Sequence, residues 1–282
     1  MTKSSKYLIF GSVFGLFLAS FAIYSSYNNH SVLKPNYDSC SGQALYGFPI
    51  ENLSNGKKDV TVICRKAYVL MHDNTAKIPV WVTYTLTSGH SIGCLKRNNQ
   101  FAADSLLKKG YRSELSDYKN SNYDKGHIAN DEDMSWDKDV QKESFLLSNI
   151  VPQLPNFNRG IWKDLEQNIR IWAHNRNADI TIYSGPIYNI HSDKKIGNNV
   201  IVPNKFYKII IDDKNRETIA FIFPHLSDLK YQDLEKYQVT VHDVEQLTGI
   251  TFRIPDNKYK INKIWKIDSK AYYLAKKSKC KI

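Results

Sequence analysis

Six polar residues in the middle of the chain have the types and spacing expected of a site that cleaves phosphodiesters. They are Asp124, Lys125, His127, Asn158, Glu166 and Arg170. Phosphodiester hydrolysis needs an activated water, neutralised charge on the phosphoryl oxygens and help for the leaving oxygen. A neutral His with a pKa of about 6.5 can accept the proton of the water, and an amide oxygen with waters can hold one hard divalent cation. Arg and Lys would hold the flanking phosphates.

Each candidate also has an ordinary structural interpretation. Gly126 can take backbone angles that turn His127 out of a strand end. Asn158 stands where a helix begins and can be its N-cap. Glu166 and Arg170, four residues apart, can form a solvated ion pair on one helix face. A single residue therefore identifies nothing, and the inference depends on the combination.

Five ordered blocks of sequence resemble the DNA/RNA non-specific endonucleases, the endonuclease G-like nucleases of the ββα-metal (His-Me finger) type. The blocks are Asp124-Lys-Gly-His127, Leu147-Ser-Asn-Ile with Pro152-Gln153, Phe157-Asn-Arg-Gly-Ile-Trp162 with Leu165-Glu166, Tyr183-Ser-Gly-Pro186, and Val202-Pro-Asn-Lys-Phe-Tyr-Lys208. The similarity covers roughly residues 60 to 255. It implies an α+β fold with a central antiparallel sheet and flanking helices, and an endonuclease that cuts DNA and RNA without sequence specificity.

The resemblance also implies the catalytic roles. His127 looks like the general base. Asn158 looks like the sole protein ligand of a mostly water-coordinated Mg²⁺, with Mn²⁺ as the alternative ion. Glu166 is similar to the glutamate of the family that orders the waters of the metal.

The same resemblance implies contacts with the substrate. Arg170 matches an arginine near the phosphate, and Arg97 matches an upstream phosphate-binding arginine in a loosely aligned segment. Asp124 has a supporting role. Lys125 departs from the family, which has Arg there, so the positive charge is retained but the planar two-pronged grip on phosphate is lost.

The elements that must position these residues are mostly strands. Residues 60–71 and 78–86 are rich in β-branched and aromatic residues and flank the Asp73-Asn74 turn signal, which predicts two paired strands. Three further runs, at residues 179–185, 206–211 and 218–223, predict strands. Because strands dominate both ends of the chain and βαβ alternation is absent, we predict an α+β sheet architecture.

Two helices are predicted. Residues 160–175 show apolar side chains at helical spacing, and a short helix opens at Thr240 with Asp243 and closes at Gly249. The catalytic block itself predicts strand, strand and helix in that order. The mostly polar segment 95–125 predicts functional surface rather than core.

The chain is strongly basic, with a formal net charge of +11. A polyanion would be attracted at long range and held in a salt-dependent way, and both nucleic acid and an anionic membrane qualify. Ordinary solubility of a basic protein is the alternative explanation.

The N-terminus predicts export. Residues 7–24 carry no charge and follow Lys3 and Lys6, which is the pattern of a signal peptide, although the run is also long enough for an uncleaved membrane anchor. Both interpretations stay open. The expected location is periplasmic, secreted or anchored at the outer face of the inner membrane, with the membrane as a partner if the segment is uncleaved.

If the protein is exported, its four cysteines are expected to form two disulfides, since an even count in an oxidising compartment usually signals disulfides. Three pairings are possible. We favour Cys40 with Cys64 and Cys94 with Cys280.

The predicted organisation is a signal peptide or anchor at 1–27, a linker and domain entry at 28–55, and one endonuclease domain at 56–282. The alternative function is a membrane-tethered nucleic-acid-binding module with weak or no catalysis. The sequence identifies neither an inhibitor protein nor an oligomeric state.

Overall fold

The computed structural model describes residues 40, 42–51, 59–254, 260–261 and 264–281. The predicted N-terminal segment 1–27 lies outside the described residues. One compact unit extends from Asp38 to Ile282, so the second half of the 28–55 segment is part of it. Within the described part of the chain, we find no helix with the length and apolarity needed to cross a membrane.

A large antiparallel sheet forms the centre of this unit and confirms the predicted α+β class. Its strands are β2 (Val60–Cys64), β3 (Val69–Asp73), β4 (Ile78–Leu86), β7 (Ile180–Ile187), β10 (Lys205–Asp212), β11 (Glu217–Pro224), β12 (Gln238–Val239) and β14 (Lys260–Ile261). The order is β12-β11-β10-β7-β4-β3-β2, with β14 parallel to β11. Three short pairs lie outside the sheet: β1 (Ile50–Glu51) with β13 (Ile250–Thr251), β5 (Asp124–His127) with β6 (Ile150–Gln153), and β8 (Lys195–Ile196) with β9 (Val200–Ile201).

The single strand predicted at residues 60–71 is wrong, because the chain reverses in the middle of it. The Arg65 N–H donates to the Tyr68 carbonyl at 2.8 Å, and β2 and β3 pair antiparallel on either side of that turn. The turn contains no Gly, Pro, Asn, Asp or Ser, so it lacks the residues that usually mark a turn. The predicted turn after β3 is confirmed, since Asp73 Oδ1 accepts from the N–H groups of Thr75 and Ala76.

The central sheet is buried on both faces, and alternation along β10 assigns its residues to the two sides. Phe206 and Ile210 pack into the core on the catalytic side. Tyr207 and Ile209 pack into the core on the opposite side, which also contains Ala44 from the segment before β1. Lys208 therefore points towards the catalytic side of the sheet, under the helix Lys163–Asn175.

The described residues form five α-helices longer than a single turn of three residues: α1 (Leu115–Tyr118), α2 (Lys138–Ser144), α3 (Lys163–Asn175), α4 (Val241–Thr248) and α5 (Ser269–Cys280). The α4 prediction is confirmed in detail. Thr240 and Asp243 form a capping box, and Gly249 ends the helix with a left-handed φ of 67°.

The main helix begins close to the predicted position, after a kink at Gly160 (φ −102°, ψ −119°). An α turn at Pro155–Phe157 and a π turn at Asn158–Trp162, which contains the kink, precede α3. Asn158 consequently has helical angles (φ −61°, ψ −45°) and is not the N-cap. The Asn158 side chain therefore does not cap the helix and is available for the site.

The C-terminus is helical, so the expectation of strands at both ends is wrong there. Helix α5 packs against the body through buried Tyr272 in a small cluster with Ile92 and Ile171. The disulfides Cys94–Cys280 and Cys40–Cys64 are both formed, which confirms the favoured pairing. Tertiary packing and a covalent bond, more than local helical periodicity, hold α5 in place.

Candidate active site

The antiparallel pair β5–β6 and the helix that follows it form one wall of a cleft of about 710 Å³. The register pairs Asp124 with Gln153 and His127 with Ile150, so the predicted strand, strand and helix order is confirmed. Basic side chains outnumber acidic ones in the cleft lining: Lys96, Arg97, Lys125, Arg159, Lys163 and Lys276, with Arg170 beneath them, against Asp124, Asp131, Glu132 and Glu166. The structure thus brings all seven predicted site residues to one cleft.

His127 is enclosed at the end of β5. Its ring lies 5.4 Å from the ring of Phe101 and 4.9 Å from that of Phe145, between centroids, and Trp162 Nε1 donates to its carbonyl at 3.3 Å. The buried Nε2 has no hydrogen-bond partner in the described part of the chain, which leaves Nδ1 as the ring nitrogen to serve a water in the cleft.

The pKa of His127 differs from the value near that of free histidine that the sequence suggested. Burial, assisted by the positive charge of Arg97, lowers this pKa to about 3. The imidazole is therefore neutral throughout the neutral pH range, with a lone pair available to accept a proton.

Gly126 is required for a reason other than the predicted one. Its φ does not lie in the left-handed region, and it occupies an ordinary position in β5. A Cβ at this position would overlap the side chain of Gln153 on β6. The close approach of the two strands, rather than an unusual backbone angle, places His127 at the cleft.

Asp124 orients Asn158. The Asn158 Nδ2 donates to Asp124 Oδ2 at 2.9 Å, and Arg159 donates to both carboxylate oxygens of Asp124 at 2.8 and 2.6 Å. Burial alone would raise the pKa of Asp124, but the hydrogen bonds from Arg159 and Asn158 lower it overall. An ionised Asp124 therefore fixes the amide nitrogen and leaves the amide oxygen as the free acceptor.

Glu166 lies on the first turn of α3 and is buried. Its Oε2 accepts from Asn130 Nδ2, and Lys208 Nζ lies 3.7 Å from its Oε1. Burial raises the pKa of Glu166 to about 7, against the opposing effect of the Lys208 charge. Lys208 is itself fully buried, with its Nζ 4.3 Å from the centre of the Trp162 ring.

Arg170 is held by carboxylates rather than presented to the cleft. Its NH1 donates to Asp133 at 2.8 Å and to Asn130 at 3.1 Å, while its NH2 donates to Glu132 at 2.9 Å. Only 3% of its side chain is exposed. Arg170 does not form the surface ion pair with Glu166 that their spacing allowed.

Arg97 and Lys125 are at the cleft surface. Arg97 forms an ion pair with Asp131, and 45% of its side chain is exposed. The Lys125 Nζ lies 5.1 Å from the centre of the Phe101 ring and 5.9 Å from that of Tyr118. Both cations can meet a substrate from the solvent side.

The sequence interpretation named Arg97, Glu166 and Arg170 but missed the other members of the charged set to which they belong, which extends from the cleft wall to below it. Acids and bases alternate there: Asp131, Glu132, Asp133 and Glu166 with Arg97, Arg170, Lys208 and Lys276. One signal was available, since the run Asn130-Asp-Glu-Asp133 is conspicuously acidic in a basic chain. Nothing local marked Lys208 or Lys276.

The donor set fits a hard divalent cation that keeps most of its waters. Among the described residues, no group of three or more His, Cys, Asp or Glu side chains could hold a metal ion. The oriented amide oxygen of Asn158 is an oxygen ligand of the kind that Mg²⁺ accepts alongside water.

Comparisons with known proteins agree with this geometry. The sequence profile of the DNA/RNA non-specific endonuclease family matches residues 49–257. Mitochondrial nuclease EXOG of Mus musculus is 29% identical over 202 residues, which cover 66% of this chain and 55% of that protein. Mitochondrial nuclease EXOG of Danio rerio is 30% identical over 218 residues, which cover 72% of this chain and 63% of that protein. The matched region thus spans less than two thirds of these two relatives.

A solved structure, described as the crystal structure of the EndoG/EndoGI complex, is similar in fold. Its TM-score is 0.67 at 26% identity, with 81% of this chain and 96% of that chain covered. The profile match covers more than half of the chain. This chain belongs to the DNA/RNA non-specific endonuclease family.

Proposed function

We propose that the protein is a metal-dependent, sequence-nonspecific endonuclease that hydrolyses phosphodiester bonds of DNA and RNA. The observation that carries the proposal is the pairing of two groups in one basic cleft: an enclosed, neutral His127 and an Asn158 amide held by Asp124. Family membership and the nuclease names of the relatives support it.

In this proposal His127 is the general base. Its neutral ring takes the proton of the attacking water at Nδ1, because Nε2 is enclosed. The aromatic contacts of Phe101 and Phe145 restrict the orientation of the ring, so the lone pair is aimed before substrate arrives. The attacking oxygen then forms the new bond to phosphorus as the leaving oxygen departs.

We propose Mg²⁺ as the cofactor, with Mn²⁺ as the alternative, and Asn158 as the sole protein ligand. When bound, the cation would neutralise charge that develops on the leaving oxygen. Glu166 stays within the charged set below the cleft, where its carboxylate can accept hydrogen bonds from waters as it does from Asn130.

Substrate binding is assigned to the exposed cations of the cleft, chiefly Arg97 and Lys125. Arg170 acts from below, because its guanidinium is already bonded to Asp133 and Glu132. Phosphate contacts carry no base information, which explains the absence of sequence preference. DNA and RNA share the phosphodiester that such a site engages.

We also propose that the protein is exported, with residues 1–27 as a cleaved signal or a membrane anchor. The two disulfides support an oxidising compartment. Periplasmic, secreted and membrane-anchored forms are all compatible with the proposed chemistry.

The test is degradation of plasmid DNA and of total RNA by the purified protein, with Mg²⁺ or with EDTA, beside His127→Ala. We expect metal-dependent loss of both polymers by the wild type and almost none by the variant. Circular dichroism and DNA binding in EDTA serve as controls that the variant is folded. If the wild type binds DNA but cuts neither polymer with any divalent metal, the proposal fails and the nucleic-acid-binding module replaces it.

A further inference from the structure

Helix α5 lies beyond the part of the chain that matches the family, which ends at residue 257. Its twelve residues include four lysines and no acid. The lysines are Lys270, Lys276, Lys277 and Lys279, and Lys281 follows the last turn. A helix of this composition adds a concentrated positive charge to whatever surface it covers.

The helix is fastened to the loop that leads into the cleft. Cys280 is bonded to Cys94, which itself lines the cleft. Lys279 Nζ donates to the carbonyls of Gly89 and Ile92, each at 2.9 Å. Tyr272 is buried, and its hydroxyl donates to the Ser91 carbonyl at 3.0 Å. The position of α5 is therefore set by several contacts and one covalent bond.

The side chain of one α5 lysine lines the cleft. Lys276 is part of the lining, and its Nζ lies 2.5 Å from Glu132 Oε1. Glu132 in turn holds Arg170, so α5 is connected to the charged set below the site. Lys276 thus contributes to the cleft lining from a helix outside the family match.

The outer side of α5 continues the positive charge away from the cleft. Lys270, Lys277 and Lys281 are exposed. The spacing of seven residues places Lys270 and Lys277 on one side of the helix, and Lys281 follows the last turn with a left-handed φ of 51°. At about 1.5 Å per residue they extend over roughly 16 Å. One strand of nucleic acid with a phosphate about every 3.4 Å would pass several phosphates over that length.

We propose that α5 is a second nucleic-acid contact surface, which extends the active cleft through Lys276 along Lys270, Lys277 and Lys281. The inference rests on the proposed function for the identity of the cleft. Its occupant is a nucleic-acid strand, because Lys276 shares the cleft with the proposed catalytic groups. The Cys94–Cys280 bond keeps this surface aligned with the cleft.

The test uses the salt dependence of binding, because each lysine–phosphate contact adds about 0.9 to the slope of log K against log salt for duplex DNA. The full-length protein is titrated with a fluorescent duplex in EDTA, so that no cleavage occurs. The variant is Lys270→Ala/Lys277→Ala/Lys281→Ala. The matched control, Lys214→Ala/Lys230→Ala/Lys236→Ala, removes the same charge from exposed lysines outside α5 and outside the cleft lining.

We expect the slope of the α5 variant to fall by about 2 to 3, while the control variant stays within about 0.5 of the wild type. Equal slopes for the two variants would overturn the proposal. In a second arm, Cys94→Ser/Cys280→Ser should weaken binding, but less than the α5 variant, because Tyr272 and Lys279 still hold the helix. Circular dichroism checks that this variant is folded. Unchanged affinity in that folded variant would refute the role of the disulfide.

A third arm separates nucleic acid from a lipid surface. Vesicles containing phosphatidylserine are titrated with the wild type and the α5 variant. If the α5 variant lost vesicle binding but kept the wild-type salt slope for DNA, the partner of α5 would be a membrane, and the proposal would be overturned. If the wild type failed to cut DNA with Mg²⁺, the proposed function would be refuted but the proposal about α5 would not, since the binding slopes are measured without cleavage.

Discussion

Lys208 Nζ lies 3.7 Å from Glu166 Oε1, and neither atom has a hydrogen-bond partner among the described residues. Both side chains are buried, one on the central sheet and the other on the helix above it. Each charge therefore depends on the other for compensation in a site shielded from water.

Replacing Lys208 by Met is expected to destabilise the protein by about 3–5 kcal/mol, because a buried carboxylate loses its compensating charge. Urea unfolding of Lys208→Met, Glu166→Gln and the double variant measures this. The double variant should lose clearly less than the two single losses added together. Additive losses would mean that the two side chains are energetically independent.

His127→Ala is expected to lower turnover by about 10²–10⁴-fold, because it removes the proton acceptor. DNA affinity in EDTA should change little, since the exposed cations of the cleft remain. Plasmid nicking rates and fluorescence anisotropy check the two parts separately. Wild-type turnover in a folded variant would exclude His127 as the base.

Asn158→Ala is expected to raise the Mg²⁺ concentration needed for cleavage or to abolish cleavage, because it removes the amide oxygen that Asp124 orients. Arg159→Ala is the neighbouring control, since it removes another partner of Asp124 but leaves the amide. Binding of Mn²⁺, followed by electron paramagnetic resonance, gives a readout without catalysis. The same metal affinity in Asn158→Ala and the wild type would place the ligand elsewhere.

Gly126→Ala is expected to destabilise the fold by about 1–3 kcal/mol or more, because the new Cβ overlaps the Gln153 side chain. Gly42→Ala is the control, as a Cβ there meets nothing within 4 Å. Thermal unfolding of the two variants compares the sites. Equal stability would show that β5 and β6 can separate at no cost.

The pKa of His127 makes stability depend on pH. This pKa is lowered to about 3 in the folded protein, so between about 6.5 and 3 the unfolded chain binds more protons. The contribution of His127 to the free energy of unfolding is fully present above about pH 6.5. As the pH falls through this window, the free energy of unfolding decreases by up to about 1.4 kcal/mol per pH unit.

His127→Gln removes this titration, so its stability between pH 4 and 6.5 should fall less steeply than that of the wild type. The exposed His242→Gln should keep the wild-type steepness. Urea unfolding at several pH values gives the comparison. Parallel curves for the wild type and His127→Gln would contradict the burial of the ring.

The amino-acid sequence was sufficient to predict the family, the strand, strand and helix order of the catalytic block, and the boundaries of α4. These features depend on residues close together in the chain. Thr240 and Asp243 form their capping box within one helical turn, for example. The favoured cysteine pairing was also correct. Local signals failed at Arg65, where a turn forms without turn residues, and at α5, which packing and the Cys94–Cys280 bond hold in place.

The pairing of the buried charges, in contrast, depends on how distant segments of the chain pack together. Glu166 lies against Lys208, 42 positions away, and Lys276 reaches Glu132 across 144 positions. Burial between aromatic rings, absent from any local pattern, lowers the pKa of His127. Ionisation depends on solvent exclusion and on neighbours from other elements, so the motif identifies the catalytic residues while the packed fold sets their charge states.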